Sequence, residues 1–236
     1  ILGQLDHPNI APIHMVGHDH QDRMLIVMKR IEGSALSEML QDPHHPRWKD
    51  VTSNREAWLL RVLTQVCYAL EHAHSKNILH RDVKADNVMI GDHGRVYLID
   101  WGISVVLDKD GTYLAPHFAG TPCQAAPEMV QAPRLLTTRT DVYMLGAILH
   151  EVLTGEPPHN AQDFDACLKL AVLEPNTPYS GFTDRNLIRI CRQALQIDPA
   201  ERFESVAHFR HALEDHLAQQ HVRLLLSTAM ELRSQL

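Results

Sequence analysis

The chain has 236 residues, of which 44% are hydrophobic and 22% are charged, and its formal net charge is −7. This composition predicts a globular protein large enough for one sizeable domain or two small ones. The net negative charge argues against a nucleic-acid-binding protein, whose affinity would depend on a basic surface. The sequence contains no apolar run near the roughly 18–20 residues that cross a bilayer, so we expect no membrane segment in this stretch.

The cysteines are scattered, without a Cys-x-x-Cys pair or the spacing of a zinc site. Cys67 and Cys191 fall on apolar helical stripes, and all the thiols are expected to be reduced. Reduced thiols are typical of a cytoplasmic protein, and no signal sequence opens the chain as given. Because it begins with Ile1, we expect a fragment whose true start lies upstream.

The first ten residues are typical of the end of a helix, with Leu2 and Leu5, that runs into a turn at 7–10. Strands are predicted next. Apolar stretches at 10–16 and 24–31 flank a polar turn at 18–22 and predict a β-hairpin. Residues 41–53 are polar and contain two prolines, so they predict a loop. A helix is expected to follow and to run to about Ser75, because apolar residues recur there at three- and four-residue steps.

The middle of the chain combines short strands with a buried helix. Residues 78–80, 88–90 and 96–99 are rich in Ile, Leu and Val and predict strands. Residues 141–153 are apolar nearly all round, which predicts a helix buried on most faces and ended by Gly155.

Two more helices are predicted in the last part of the chain, at about 184–196 and from near Ser205 toward the C-terminus. The apolar stretch 224–226 is expected to pack on this or a following domain. The 17 histidines offer candidate pairs for a metal, but none has a third ligand at a recognisable spacing. We expect most of them to be solvated surface residues.

The most informative segment is His80-Arg81-Asp82-Val83-Lys84-Ala85-Asp86-Asn87, followed thirteen residues after its end by Asp100-Trp101-Gly102. Moving the terminal phosphoryl group of ATP to a hydroxyl requires a carboxylate at the incoming hydroxyl and oxygen ligands for Mg²⁺. Asp82, Asn87 and Asp100 supply these groups.

Further motifs follow in order: Gly120-Thr121-Pro122, then Ala126-Pro127-Glu128, then Asp198 to Arg202. Together the motifs resemble the eukaryotic-type (Hanks-type) serine/threonine protein kinases, over nearly the whole chain to about residue 215. Asp-Trp-Gly, where most members have Asp-Phe-Gly, resembles a group of bacterial multidomain kinases.

The resemblance implies an α+β, protein-kinase-like fold, mainly the α-helical C-lobe with a remnant of the β-rich N-lobe. Residues 1–31 would be the N-lobe remnant, with the end of helix C, two strands and the hinge. Residues 32–215 would form the C-lobe, and residues 216–236 a C-terminal helical extension or linker.

The resemblance also implies the roles of the site residues. Asp82 would act as the base that accepts the substrate hydroxyl proton, and Lys84 would steady the γ-phosphate. Asn87 and Asp100 would bind Mg²⁺, and Thr121 would form hydrogen bonds near Asp82 and Lys84. A lysine at position 84 favours serine/threonine over tyrosine specificity, so the expected partners are ATP and a protein substrate.

The adenine pocket implied by the resemblance uses Met28 as gatekeeper, backbone groups of Lys29 and Ile31 at the hinge, and Met89 as the floor. A hydrophobic column between the lobes would consist of Leu2, Ile13, His80 and Trp101, with His80 as a core histidine bonded to backbone.

Three further residues are expected to brace the fold. Glu128 would pair with Arg202, and Asp141 would fix the backbone of the catalytic loop. Arg81 is typical of kinases switched on by phosphorylation of the activation segment, including autophosphorylation in trans. Thr112 is the favoured hydroxyl among the candidates Ser104, Thr112, Tyr113 and Thr121.

The sequence as given lacks the glycine-rich loop, the ATP-anchoring lysine and its glutamate partner, so catalysis by this piece alone is not expected. Two alternatives therefore stay open. One is a small-molecule phosphotransferase of the aminoglycoside or choline kinase type, although those enzymes lack the elements at 126–128 and 198–202. The other is a truncated or pseudokinase binding module that docks partners without phosphotransfer.

Overall fold

The computed structural model describes residue 3 and residues 5–52, 54–173, 179 and 184–234. The strands are β1 (Ile13–His18), β2 (Met24–Met28), β3 (Gly33–Ala35), β4 (Ile78–Leu79), β5 (Val88–Gly91), β6 (Val96–Leu98), β7 (Val105–Val106), β8 (Tyr113–Leu114) and β9 (Leu135–Leu136). The α-helices are α1 (Leu36–Gln41), α2 (Arg55–Ser75), α3 (Pro127–Val130), α4 (Thr138–Thr154), α5 (Phe164–Ala171), α6 (Arg185–Ala194) and α7 (Val206–Ser234). Long helices and short strands together confirm the predicted α+β class.

The predicted N-terminal hairpin is present, with slightly different limits. Strands β1 and β2 pair antiparallel from Ile13 opposite Met28 to His18 opposite Met24. The Asp19 carboxylate holds the turn, because its Oδ1 accepts from the N–H groups of Gln21 (2.8 Å) and Arg23 (2.9 Å). The apolar side chains of this hairpin are largely exposed, and Met15 reaches 60%.

The predicted helix end at the start of the chain, with Leu2 and Leu5, lies partly outside the described residues, since of residues 1–4 the structure describes only Gly3. At Leu5 the prediction is wrong, because no helix is present there. Residues 5–9 contain no helix and lead through a turn to Ile10, which bridges in parallel to Leu98.

Helices α2 and α4 form the centre of the helical region, and α2 also packs on α7. The Asn54 side chain caps α2 by accepting from Glu56 N–H at 2.9 Å. Helix α4 is buried along most of its length, as its apolar sequence predicts. It ends at Gly155, whose φ of 82° is the left-handed cap that glycine adopts without strain.

A small antiparallel sheet in the order β3-β5-β6 carries the loops of the site. Strand β3 approaches β5 so closely at Gly33 that an added Cβ would collide with the Ile90 carbonyl. The β5–β6 hairpin pairs Val88 with Leu98, Met89 with Tyr97 and Ile90 with Val96. The residues just before β5 and just after β6 therefore lie side by side at the end of the hairpin where Val88 pairs with Leu98.

The C-terminal helix α7 runs without interruption through residue 216, the start of the predicted extension. Its later apolar side chains are exposed, with Leu224 at 64%, Leu225 at 56% and Leu226 at 55%. The predicted packing of this stretch on the same domain is therefore not formed among the described residues. No helix in the described part of the chain is both long and apolar enough to cross a bilayer.

Candidate active site

The polar motif residues sit on loops at one end of the β5–β6 hairpin. Asn87 immediately precedes β5, and Asp100 lies two residues after β6. The Ile99 N–H donates to the Asn87 carbonyl at 2.9 Å, which extends the strand pairing by one step. Asp82 lies in the loop between β4 and β5, so the fold brings all three polar residues to the same edge.

Asp82, Lys84 and Thr121 form a closed triangle of contacts. The Thr121 hydroxyl donates to Asp82 Oδ1 at 2.7 Å. Lys84 Nζ donates to Thr121 Oγ1 at 2.6 Å and pairs with Asp82 Oδ2 at 2.9 Å. The predicted hydrogen bonds of Thr121 are thus confirmed, and they fasten the segment around residue 121 to the catalytic loop.

Burial and hydrogen bonding shift the pKa of the Asp82 carboxyl in opposite directions. Burial raises its pKa, but hydrogen bonds from Thr121 and Lys84 outweigh burial and hold the pKa below the ordinary value of 3.8. The group is therefore a carboxylate at neutral pH, with its oxygens available to accept hydrogen bonds.

Gly120 is required by the close approach of the Thr121 segment to the catalytic loop. Its φ is 140°, and an added Cβ would lie 2.9 Å from Met129 Cε and 3.1 Å from the Arg81 carbonyl oxygen. An added methyl group would require the end of the Met129 side chain to move and the Arg81 carbonyl to shift by a few tenths of an ångström. The motif Gly-Thr-Pro marks this position in the sequence, although only the structure shows which atoms exclude a side chain.

Asn87 and Asp100 provide oxygen atoms suited to a hard cation. Asn87 Nδ2 donates to the Asp82 carbonyl at 2.8 Å and to Asp82 Oδ2 at 3.2 Å, which leaves its amide oxygen to face elsewhere. Asp100 is exposed, and its Oδ1 accepts from Gly102 N–H at 3.2 Å. One amide oxygen and one carboxylate fit the ligand preference of Mg²⁺.

Two non-glycine residues beside the site adopt left-handed backbone conformations, Arg81 with φ 72° and Asp100 with φ 59°. Such conformations cost about 1–3 kcal/mol each and persist only where the surroundings hold them in place. At Arg81 the holding group is Asp141, which is fully buried. Asp141 accepts from Arg81 N–H and from His80 N–H, both at 3.0 Å, as predicted.

Sequence reasoning missed a third partner of Asp141. His74 Nε2 lies 2.8 Å from Asp141 Oδ2. Burial raises the pKa of Asp141, but the bond with His74 and the charges and backbone groups around it hold the pKa below its ordinary value. The feature of the sequence that could have indicated this contact is the position of His74 on the apolar stripe of α2, where a polar side chain needs a buried partner.

The predicted Glu128–Arg202 pair is bidentate, with both N–O distances at 2.8 Å. Arg202 also donates to the carbonyl groups of Arg139 (3.0 Å), Gln196 (2.7 Å) and Ile197 (3.0 Å). The pair therefore ties α3 to the loop that precedes α7.

The residues predicted to bind adenine lie on β2, on β5 and in the connection between β2 and β3. Met28 ends β2 with 43% of its surface exposed. The Lys29 N–H donates to the Pro12 carbonyl at 2.8 Å, so adenine would have to use the Lys29 carbonyl. Lys29 Nζ also lies 3.4 Å from the Tyr97 hydroxyl, and Tyr97 pairs with Met89 on β5. Lys29 at the hinge is therefore linked through Tyr97 on β6 to β5, the strand that carries Met89. Ile31 lies in the connection between β2 and β3.

The predicted hydrophobic column is seen in part. The rings of His80 and Trp101 are 4.4 Å apart, Ile13 is half-buried on β1, and Leu2 lies outside the described residues. His80 is fully buried, with Nε2 3.2 Å from the Ile99 carbonyl. Burial lowers its pKa, so the ring is neutral and structural, as predicted.

Comparison with known proteins places this geometry in a family. Residues 1–216 match the protein kinase domain family. The chain is 28% identical to the serine/threonine-protein kinase PknD of Chlamydia trachomatis serovar D, over 92% of this chain and 26% of that protein. It is 30% identical to PknD of Protochlamydia amoebophila, over 92% of this chain and 24% of that protein. It is 28% identical to the serine/threonine-protein kinase RUNKEL of Arabidopsis thaliana, over 86% of this chain and 14% of that protein.

The chain thus spans about a quarter of the length of the PknD relatives. The family match nevertheless covers nearly the whole of the chain itself. The chain therefore belongs to the protein kinase family, in its eukaryotic-type (Hanks-type) serine/threonine branch.

Proposed function

We propose that the whole protein transfers the ATP γ-phosphoryl group to Ser or Thr hydroxyls of a protein, with Asp82 at the reacting hydroxyl. The observation that supports this most is the Asp82 carboxylate held by Thr121 at 2.7 Å and by Lys84 at 2.9 Å. These contacts fix the orientation of the carboxylate before substrate arrives, which is how positioning lowers a phosphotransfer barrier.

Asp82 would act first by orientation. The incoming hydroxyl donates a hydrogen bond to a carboxylate oxygen of Asp82. Its proton passes to that oxygen as the bond to the γ-phosphorus forms, while the bond from that phosphorus to the β-phosphate oxygen breaks and ADP leaves. Because the pKa of Asp82 is below its ordinary value, the carboxylate is a weak base. It therefore takes the proton late, which suits a loose transition state.

Lys84 and the metal-ligand candidates would handle the phosphate charge. Lys84 already contacts both Thr121 and Asp82, and its ammonium group is placed to steady the γ-phosphate. Asn87 and Asp100 would hold Mg²⁺, which would offset the negative charge of the phosphate groups. The exposed Asp100 carboxylate is free to turn toward such an ion.

Adenine would be held at the hinge by the Lys29 carbonyl and backbone groups of Ile31, with Met28 as gatekeeper and Met89 as floor. The proposed partners are a protein substrate and ATP, without nucleic acid, and autophosphorylation in trans is included. The proposed location is the cytoplasm, which agrees with cysteines that form no disulfide in the described residues.

The test uses the full open reading frame that contains this chain, with radiolabelled ATP, Mg²⁺ and casein as a generic acceptor. Asp82→Asn is expected to lower labelling by about 10²–10⁴-fold. Asp108→Asn, an exposed carboxylate in the activation segment, is the matched control and is expected to keep activity.

Equal labelling by Asp82→Asn and the unaltered protein would refute the role of Asp82. The alternative, a pseudokinase binding module, makes a different prediction. It is supported if the unaltered protein labels neither itself nor casein while Asp82→Asn and the unaltered protein bind the same partners.

A further inference from the structure

Two cysteines far apart in sequence meet next to the proposed substrate-docking segment. Cys123 Sγ and Cys167 Sγ are 3.1 Å apart, although the two residues are 44 positions apart in the chain. Cys123 lies in a short 3₁₀ turn, Pro122–Gln124, two residues after Thr121. Cys167 lies in helix α5. We propose that Cys123 and Cys167 form a redox-sensitive pair that closes to a disulfide by exchange with a low-molecular-weight disulfide.

The surrounding structure holds the two sulphur atoms together. Helix α5 packs directly on the turn that contains Cys123. The His159 N–H donates to the Cys123 carbonyl at 3.1 Å, which fixes the backbone of the turn. The rings of Phe118 and Phe164 add an edge-to-face contact at 5.8 Å between the activation segment and α5. A disulfide bond of about 2.05 Å requires the sulphur atoms to approach by about 1 Å more.

The two thiols differ in access, which sets the order of the reaction. Cys123 is partly exposed, whereas Cys167 is buried with 3% of its surface exposed. A small disulfide in solution therefore meets Cys123 first. Cys167 is then the resolving thiol, because its sulphur already lies against that of Cys123.

The exchange balances in two steps. The Cys123 thiolate attacks one sulphur of the small disulfide, whose S–S bond breaks and releases one thiolate. The Cys167 thiolate then attacks the Cys123 sulphur of the mixed disulfide, and the second small thiolate leaves. Both cysteines are oxidised, the small disulfide is reduced to two thiols, and the protons lost by the cysteines end on these thiols.

The high pKa of the Cys123 thiol makes the exchange reaction slow and limits which oxidants react with it. Burial, together with the contact to Cys167, raises the pKa of the Cys123 thiol to about 11. Little thiolate is present at neutral pH, so the pair would respond to a sustained disulfide load and not to brief exposure to peroxide. The bond would tie the segment after Thr121 to α5. Its effect on substrate docking rests on the proposed function, whereas disulfide formation does not.

The deciding experiment maps peptides of the natively folded protein encoded by the full open reading frame, after incubation with oxidised glutathione at mildly alkaline pH. Free thiols are blocked by alkylation, and trypsin is used without reduction. Cleavage after Lys109, Arg134, Arg139 and Lys169 puts Cys123 on peptide 110–134 and Cys167 on peptide 140–169. The expected product is these two peptides linked, with a mass lower by two hydrogen atoms and reversed by dithiothreitol.

Two variants sharpen the result. Cys167→Ala is expected to stop at the glutathione adduct of Cys123, because the resolving thiol is gone. Cys67→Ala removes a thiol buried in α2 and is expected to give the same linked peptides as the unaltered chain. Only the glutathione adduct in the unaltered chain, or linkage seen only after denaturation, would overturn the proposal.

The effect on docking has its own readout. In the full protein, oxidation is expected to lower casein labelling at least about tenfold, since a shift of about 1 Å near a reacting group is costly. Dithiothreitol should restore labelling, and Cys167→Ala should be insensitive to the oxidant. Linked peptides with unchanged labelling would refute the docking effect alone. Absence of labelling in every state would instead count against the proposed function.

Discussion

Breaking the Glu128–Arg202 pair is expected to destabilise the protein strongly. The Arg202 side chain has no exposed surface and that of Glu128 is 11% exposed, so the pair lies in a low-dielectric setting. Glu128→Gln keeps the shape of the side chain but leaves a buried guanidinium without a counter-charge. Such a change costs about 3–5 kcal/mol. We expect the lower end, about 3 kcal/mol, because the glutamine oxygen still accepts one hydrogen bond.

Arg202→Met is expected to cost more than Glu128→Gln. It leaves Glu128 unpaired and also removes the donors to the carbonyl groups of Arg139, Gln196 and Ile197. Each of these partly buried carbonyls that loses its donor adds at most about 1–3 kcal/mol, less than additively. The order of the two variants therefore follows from the number of acceptors that each one leaves without a donor.

Urea unfolding followed by tryptophan fluorescence measures both effects, since Trp48 and Trp101 are buried probes. In a separate thermal unfolding experiment, the midpoint temperature of Glu128→Gln should fall by roughly 6–12 °C. A loss of 1 kcal/mol lowers the midpoint by about 2–4 °C in a protein of this size. Asp92→Asn is the control, because it breaks a 3.5 Å pair with Arg47 in which the Asp92 side chain is 66% exposed. Its expected change is within about 0.5 kcal/mol. A Glu128→Gln effect no larger than the control, or an Arg202→Met effect below it, would refute the reasoning.

Two further variants test other parts of the structure. Gly120→Ala should lower the free energy of unfolding by about 3 kcal/mol, against about 1 kcal/mol for Gly111→Ala, since both have positive φ but only Gly120 lacks room for a Cβ. Urea midpoints compare the two, and equal losses would contradict the steric argument. Burial lowers the pKa of His159 from 6.5 to about 4. Between about pH 4 and pH 6.5 the folded state therefore binds fewer protons at this residue than the unfolded state does. Stability should therefore fall as pH drops from about 6.5 to 4, by at most about 3 kcal/mol from this residue. His159→Gln should flatten this slope in unfolding curves, exposed His221→Gln should not, and an unchanged slope in His159→Gln would count against the assignment.

The sequence predicted those parts of the fold that depend on local pattern. Helix α2 was predicted to end near Ser75, where the structure ends it, because its apolar face repeats over five turns or more. The exposed residues 224–226 show the limit of such reasoning. An apolar stretch indicates that a partner surface is favourable, but it does not show whether the surface belongs to the same domain.

The contacts within the site were predictable where a motif fixes them and unpredictable elsewhere. Thr121 near Asp82 follows from the motif resemblance. The partnership of His74 with Asp141 joins residues 67 positions apart, and no local pattern encodes such a distance. The same holds for Cys123, which looked isolated in the sequence and lies against a second thiol in the fold.

Three sets of contacts hold the loop that carries Asp82 and the segment that faces it, and their arrangement explains why a distant thiol pair could matter. Asp141 holds the backbone of the catalytic loop, and Glu128 with Arg202 anchors the end of the docking segment. The Thr121 hydroxyl is the direct link between the docking segment and Asp82. Cys123 lies two residues after Thr121, and only Pro122 separates the two. A bond that pulls this turn toward α5 is therefore expected to act on the hydrogen bond that orients the Asp82 carboxylate.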